Sequence, residues 1–443
     1  MTDSRNQKLD VGALARVEGE GGLRVVVTDG AVSEVALNIY EPPRFFEAFL
    51  IGRRYQEVPD ITARICGICP VAYQMSACAA IEDAFGVAVS AGIQDLRRLL
   101  YCGEWLQSHA LHVHFLHAPD FFRCQDAIQL ASTHPKDVKR GLALKKTGNQ
   151  LMAAVGGRAV HPVNVRVGGF YSAPARSAIR ALAGPLHEAL EASLETVKWV
   201  SGFEFPDVEG DYIYVALRGD NCYPLEAGRI VASNGLDCSA AEFAEVAVEE
   251  HVARSNALHA RLHGRLGYLT GPLARYALNY GSLTPLAKAA ASEAGLGPVC
   301  HNPFRSIVVR AVETVFACEE ALRLVDSYEP PDVPAVTLPA VTDVPGVTDG
   351  GMIAGVGATE APRGLLLHRY EIDANGLIHK ARIMPPTSQN QLPIEDDLRR
   401  VVEAGMNLTL EELTLRAETA VRNHDPCISC ATHFLDVRVE TRP

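Results

Sequence analysis

The chain has 443 residues, is 48% hydrophobic and 21% charged, and carries a formal net charge of −12. This length supports a large core or two to three domains, and the composition is that of an ordinary globular protein. The acidic balance and the lack of a long basic run argue against nucleic acid as a partner, and no apolar run reaches the roughly 18 residues of a membrane span. Residues 1–12 show no signal-peptide pattern. The eleven cysteines do not look like a disulfide framework in so long a chain. Cys78, Cys102, Cys124, Cys222, Cys238, Cys300 and Cys318 are scattered singly and read as reduced core residues, which fits a reducing cytoplasm.

In chain order, residues 23–40 are predicted to form a β-hairpin around Asp29-Gly30, and Pro42-Pro43 stops its second strand. Residues 44–53 suggest a short helix with Phe45, Phe46, Phe49 and Leu50 inward and Glu47 on or near that face. Pro70 suits the first turn of a helix running to about residue 85. Cys69 would then sit at the positive end of that helix, where the dipole favours thiolate. A long helix is predicted over 93–117, with Leu96, Leu99, Trp105, Leu106, Val113 and Leu116 at helical spacing. Its four histidines, His109, His112, His114 and His117, read as packing residues, because they lack the zinc-type i, i+4 pair with an acid.

Further helices are predicted over 186–200, 241–263, 285–293 and 307–325. Residues 330–351 read as an extended connector. Gly355-Val356-Gly357 fails the dinucleotide fingerprint, since Glu360 stands where a third glycine is needed. Residues 365–372 and 377–384 form a second hairpin around Asn375-Gly376. A last helix starts after Thr409, with Glu412 completing a capping box, and runs to about residue 421. The expected fold is α+β and predominantly helical, with β-hairpins at the periphery.

Two cysteine pairs carry the chemistry. Cys66-Gly67-Ile68-Cys69 lies near one end, and Cys427-Ile428-Ser429-Cys430, followed by His433, lies near the other. Three readings of this set are open. A zinc ribbon needs its two pairs close in sequence, which these are not. A dithiol redox motif needs a short strand–helix–strand context that Cys66–Cys69 lacks. The third is a soft-metal centre in the core, since thiolates select zinc, nickel, copper(I) or iron.

The flanking motifs carry a resemblance. They are Arg16-Val17-Glu18-Gly19, then Arg44-Phe45-Phe46-Glu47, then Arg64-Ile65-Cys66-Gly67-Ile68-Cys69 and Asp120. Gly156-Gly157 with His161, Glu360-Ala361-Pro362-Arg363-Gly364, Pro386-Thr387-Ser388 and the stretch from Asp425 to His433 follow. In this order, and end to end, the chain resembles the large, catalytic subunit of nickel–iron hydrogenases.

The resemblance implies a buried metal site joining the N- and C-terminal motifs, and reversible heterolytic cleavage of H2. Cys66 and Cys427 would be terminal nickel ligands. Cys69 and Cys430 would bridge nickel to an iron carrying carbon monoxide and cyanide. Arg363 and Thr387 match positions facing the diatomics and the open side of the metals. Glu47 and His433 match ligands of a magnesium-type ion, and Glu18 the proton-relay carboxylate. The plainer reading of Glu18 is a salt bridge, for example with Arg16; for Asp120 and Asp425 it is the orientation of Arg363.

The scattered cysteines form no motif for an iron–sulfur cluster, so electrons would leave through a partner, the family's small subunit. Many relatives carry a histidine four residues after the second cysteine, where this chain has Tyr73. That wording resembles the cytoplasmic, bidirectional, NAD(P)-linked branch, with flavin-containing diaphorase subunits. The resemblance also implies a single catalytic unit over 1–433. Residues 434–443 would be an extension, removed by a maturation protease once a nickel chaperone has delivered the metal. The alternatives are a structural zinc scaffold and a non-catalytic relative from a respiratory quinone oxidoreductase. The latter lineage has lost the thiols that this chain keeps.

Overall fold

The computed structural model describes residues 7–220, 222–263, 266–345, 347 and 351–432. Helices form the centre and small antiparallel sheets surround them. The Ser306–Ser327 helix is buried almost all round, as is the Pro70–Ala84 helix, so both read as core rather than amphipathic surface elements. The Ala91–Leu111, Pro135–Gly156 and Ala183–Ser201 helices pack with them. Among the described residues, no helix is long and apolar enough to cross a membrane.

The first expected hairpin forms, from Gly21–Thr28 and Ala31–Ile39, with both turn residues Asp29 and Gly30 at positive φ. A third strand, Gln7–Val11, joins its edge; its two apolar positions make too weak an alternation to read. The second hairpin forms from Gly364–Ile372 and Ile378–Met384. It too gains a strand, Ile353–Ala361, over the Gly355-Val356-Gly357 stretch. A Cβ on Gly355 would lie 2.2 Å from the Ala80 carbonyl oxygen, and one on Gly357 2.4 Å from the Ala80 nitrogen. These glycines let the strand lie directly on the Pro70–Ala84 helix. That contact sets the helix that begins after Cys69 against the sheet that leads into Arg363.

Three expectations need correction. The helix predicted over 241–263 is helical only over Ala240–Val246, where Ser239 and Glu242 form a capping box. Ala247–Val252 and Ser255–Leu262 then pair as antiparallel strands. A bulge between Ser255 and Leu258 breaks the two-residue alternation, which is why the run does not read as strand. The helix predicted over 93–117 is α-helical over Ala91–Leu111 and widens into a π-turn over His112–His117. The short helix after Pro43 spans only Phe46–Leu50, and Phe49 is 58% exposed rather than inward.

The four histidines do not gather into a ligand set. His109 pairs with Glu313 at 3.0 Å, and His112 Nε2 contacts the Arg422 carbonyl at 2.8 Å. His114 Nε2 lies 3.3 Å from the Thr196 hydroxyl, and burial pushes its pKa down to about 3. Burial lowers the pKa of the other three in the same way.

Candidate metal centre

The two cysteine pairs meet. Cys66 follows a short 3-10 turn in extended conformation, and Cys69 stands at the start of the Pro70–Ala84 helix. From the other end of the chain, Cys427 leads into the short Ile428–Ala431 helix. The segment bearing Glu18 runs parallel to Cys427, with the Ile428 N–H donating to the Glu18 carbonyl at 2.9 Å. Gly19 permits this approach. Its φ is +87°, and a Cβ there would lie 2.7 Å from Ile428 Cβ.

All four sulfur atoms lie within 4.8 Å of one another, and each cysteine is 3% exposed or less. Cys66 and Cys427 Sγ are 3.4 Å apart, and Cys69 and Cys430 Sγ are 4.0 Å apart. Two thiolates at about 2.3 Å from one tetrahedral metal are separated by roughly 3.8 Å, so these two spacings fit shared ligation, whereas Cys427 and Cys430 Sγ, at 2.7 Å, lie closer than a metal would hold them. It is the only such group of possible metal ligands among the described residues.

Four buried thiols cannot all ionise without a cation. Hydrogen bonds from Cys427, Cys430 and Cys69 hold Cys66 well below the usual thiol range. The Ile68 and Cys69 N–H groups also donate to Cys66 Sγ at 3.3 Å each. Burial pushes Cys427 and Cys430 up. A soft divalent metal relieves this conflict, because it binds thiolate in preference to thiol.

Arg363 is the buried positive group beside the thiols. Its Nε donates to the Asp425 carbonyl at 2.8 Å and its Nη2 to Asp425 Oδ1 at 3.0 Å. Against burial, Asp425 and the thiolates keep its guanidinium charged. Its Nη1 is buried and finds no hydrogen-bond partner among the described residues. Asp425 sits at φ +51°, a conformation an aspartate tolerates when its surroundings hold it. The Thr387 hydroxyl accepts the Cys427 N–H at 3.0 Å.

Glu18 does not pair with Arg16. Its Oε2 lies 3.1 Å from Cys427 Sγ and accepts the Ser429 N–H at 3.0 Å. Arg16 bonds Asp120 instead, as does Arg422. Asp120 therefore orients those two arginines, whereas Asp425 holds Arg363. Glu47 stands apart from the thiols, with its Oε1 accepting the Ile383 N–H at 2.6 Å. It borders a cleft of about 470 Å³ shared with Glu249, His251 and Lys380. His433 and residues 434–443 lie outside the described residues. Tyr73 is fully buried, with its ring 5.6 Å from the His368 imidazole.

Sequence reasoning missed Arg44. Its Nη2 bonds both the Ile65 carbonyl, at 2.7 Å, and the Ser429 carbonyl, and so joins the two cysteine segments. Its signal was its place in the same motif as Glu47.

Residues 44–140 and 264–433 match a family described as Nickel-dependent hydrogenase. Sulfhydrogenase 1 subunit alpha of Pyrococcus furiosus is 34% identical over 425 residues, covering 95% of this chain and 97% of that protein. The chain belongs to the nickel-dependent hydrogenase family. NAD-reducing hydrogenase HoxS subunit beta of Cupriavidus necator is 29% identical, across 97% of this chain and 95% of that one. A crystal structure of an NAD+-reducing [NiFe]-hydrogenase in the H2-reduced state superimposes with a TM-score of 0.86 at 27% identity, covering 96% of this chain and 99% of that chain. The fold is that of a hydrogenase large subunit, from a family of oxidoreductases acting on hydrogen, and the buried cysteine quartet lies where its two end motifs meet.

Proposed function

We propose that this chain splits H2 reversibly and heterolytically at a nickel–iron centre held by Cys66, Cys69, Cys427 and Cys430. In this reading Cys66 and Cys427 would hold nickel alone, and Cys69 and Cys430 would be shared between nickel and iron. When bound, the nickel and an iron carrying carbon monoxide and cyanide supply a Lewis-acidic, redox-active centre for cleaving the H–H bond. The chain supplies the rest. Arg363 keeps one buried donor, Nη1, without a hydrogen-bond partner among the described residues and is kept charged by Asp425. Thr387 fixes the Cys427 backbone. Burial of the quartet excludes water, which strengthens each of these interactions.

The observation that carries the reading is the contact between Cys427 Sγ and Glu18 Oε2 at 3.1 Å. A thiol donating to a carboxylate at this distance is positioned for proton transfer. Glu18 takes the proton from Cys427 Sγ and passes it outward. Asp120 acts at one remove, by fixing Arg16 and Arg422.

Electrons leave through an iron–sulfur small subunit in this reading, since the other cysteines form no further ligand set among the described residues. The similarity to NAD-reducing relatives supports onward transfer through flavin-containing diaphorase subunits to NAD(P), in the cytoplasm. A magnesium-type ion bound by Glu47 and His433, and removal of residues 434–443 by a protease after a chaperone inserts nickel, belong to the same proposal. The intact mass of nickel-loaded, active protein tests the last step: full-length chains with full activity overturn it.

The deciding experiment for the function is metal and gas analysis of the purified complex. One nickel per chain, iron in excess of nickel because the partner's iron–sulfur clusters add to the count, infrared bands of carbon monoxide and cyanide, and H2-dependent reduction of NAD+ or NADP+ are expected. Zinc alone at the quartet, with no H2 uptake by any acceptor, would return the chain to a structural scaffold.

A further inference from the structure

Cys69 stands between two contacts that the chemistry above does not use. Both come from one face of the Ala91–Leu111 helix, where Glu104 and Gln107 lie three residues apart. Glu104 is fully buried, and it faces the first turn of the Pro70–Ala84 helix. Its Oε2 accepts the Val71 N–H at 2.6 Å and its Oε1 the Ala72 N–H at 3.1 Å. Gln107 Nε2 donates to the Ile68 carbonyl at 2.6 Å, and its Oε1 accepts from Lys145 Nζ at 2.9 Å. Residues 68–72 are therefore gripped on both sides of Cys69, at a carbonyl before it and at two N–H groups after it.

The place of Cys69 at a helix start predicts that the free N–H groups there favour its thiolate directly. In the structure the Glu104 carboxyl group accepts two of them, from Val71 and Ala72. Burial pushes the Glu104 carboxyl well up, while the two backbone donors pull the other way. A carboxyl group sealed in a core is costly unless each oxygen is bonded, and here each oxygen accepts one backbone N–H. The arrangement suits a clamp. It fixes a helix start whose orientation sets the direction of one sulfur, and it lies on the rigid central helix rather than on a loop.

We propose that Glu104 and Gln107 form a two-point clamp on the Cys69 backbone, and that Glu104 is a positioning residue for the bridging thiolate. The proposal rests on the reading of Cys69 as a metal ligand only for its effect on the centre; the clamp itself is a property of the chain.

The test therefore has two parts, on wild type and Glu104→Gln in the full-length chain. The amide keeps the volume but turns an NH2 toward one of the two N–H donors, which loses its acceptor. In metal-free protein, the Val71 and Ala72 amides of the variant are expected to exchange with deuterium roughly tenfold faster than in wild type. In metal-loaded complex, nickel and iron content should hold, the carbon monoxide and cyanide bands should move, and H2 turnover should fall roughly 10- to 100-fold. Wild-type exchange together with wild-type infrared bands overturns the clamp. If Glu104→Gln does not fold, Gln107→Ala removes only the donor to Ile68; faster exchange with moved bands then supports the clamp, and wild-type values of both overturn it. A wild-type complex that lacks nickel and iron sinks the hydrogenase reading instead, and the exchange measurement still decides the clamp.

Discussion

Arg422 grips Asp120 through two parallel bonds, Nε to Oδ2 at 2.7 Å and Nη2 to Oδ1 at 2.9 Å. Arg16 bonds the same carboxylate and also donates to the Leu116 carbonyl at 2.7 Å. One buried acid thus ties the N-terminal segment, the His112–His117 turn and the Leu410–Asn423 helix together, immediately before the chain enters the Asp425–Cys430 stretch.

Asp120→Ala leaves two arginines without their shared counter-charge. Breaking a buried pair from one side costs about 3–5 kcal/mol, so a drop of that size in urea unfolding is expected. Turnover per bound nickel should change far less than stability does. A variant of normal stability with lost turnover would show that Asp120 works at the centre itself.

Glu18→Gln keeps the shape of the side chain and an oxygen for the Ser429 N–H, but it removes the proton acceptor beside Cys427. Nickel and iron content should be normal. H2 uptake should fall by roughly 10²- to 10⁴-fold, the usual share of a general base. Isotope exchange between D2 and water measures the proton step directly, and near-normal exchange would return Glu18 to a structural role.

Cys430→Ser replaces a proposed bridging thiolate with a hard, poorly ionised hydroxyl in a buried site. Loss of iron and nickel by elemental analysis is the expected result. Normal content of both metals would contradict the bridging assignment.

Arg275 carries two buried acids with opposite behaviour. It bonds Glu313 through Nε and Nη2 at 2.9 Å each, and Glu360 through Nη1 at 3.0 Å. Burial pushes Glu313 up, but Arg275 and His109 outweigh it and hold Glu313 at about 2, against an ordinary 4.5. Its stabilising effect is therefore present above pH 4.5 and is lost as pH falls toward 2. Glu360 is raised by burial to about 7, so ionising it in the folded chain is unfavourable. Stability from that group is fully present below pH 4.5 and is lost as pH rises through 7, with a size on the order of 3 kcal/mol. Comparing unfolding of wild type and Glu360→Gln between pH 4.5 and 7 isolates the effect. The variant should lose that decline but keep the loss of stability in acid. Parallel curves across the window would show that Glu360 does not titrate there.

The residue types at 66–69 and 427–430 were enough to mark four candidate ligands for a soft metal, because softness and charge belong to the side chain wherever the fold places it. The capping box at Thr409 and the turn at Asp29-Gly30 were equally legible, because both depend on neighbours in sequence. The strand Ile353–Ala361 was not, because its glycines are explained only by the helix lying against them. Nor was the bulged pair after Val246, whose period is broken at the bulge. Partner choice among the charged groups was decided by tertiary structure alone. Glu18 faces Cys427 rather than Arg16, Asp120 holds Arg422 rather than Arg363, and Glu104 takes the helix start beside Cys69. A buried charge pairs with whatever packing brings within about 3 Å, and here packing joins segments far apart in the chain, which no local pattern records.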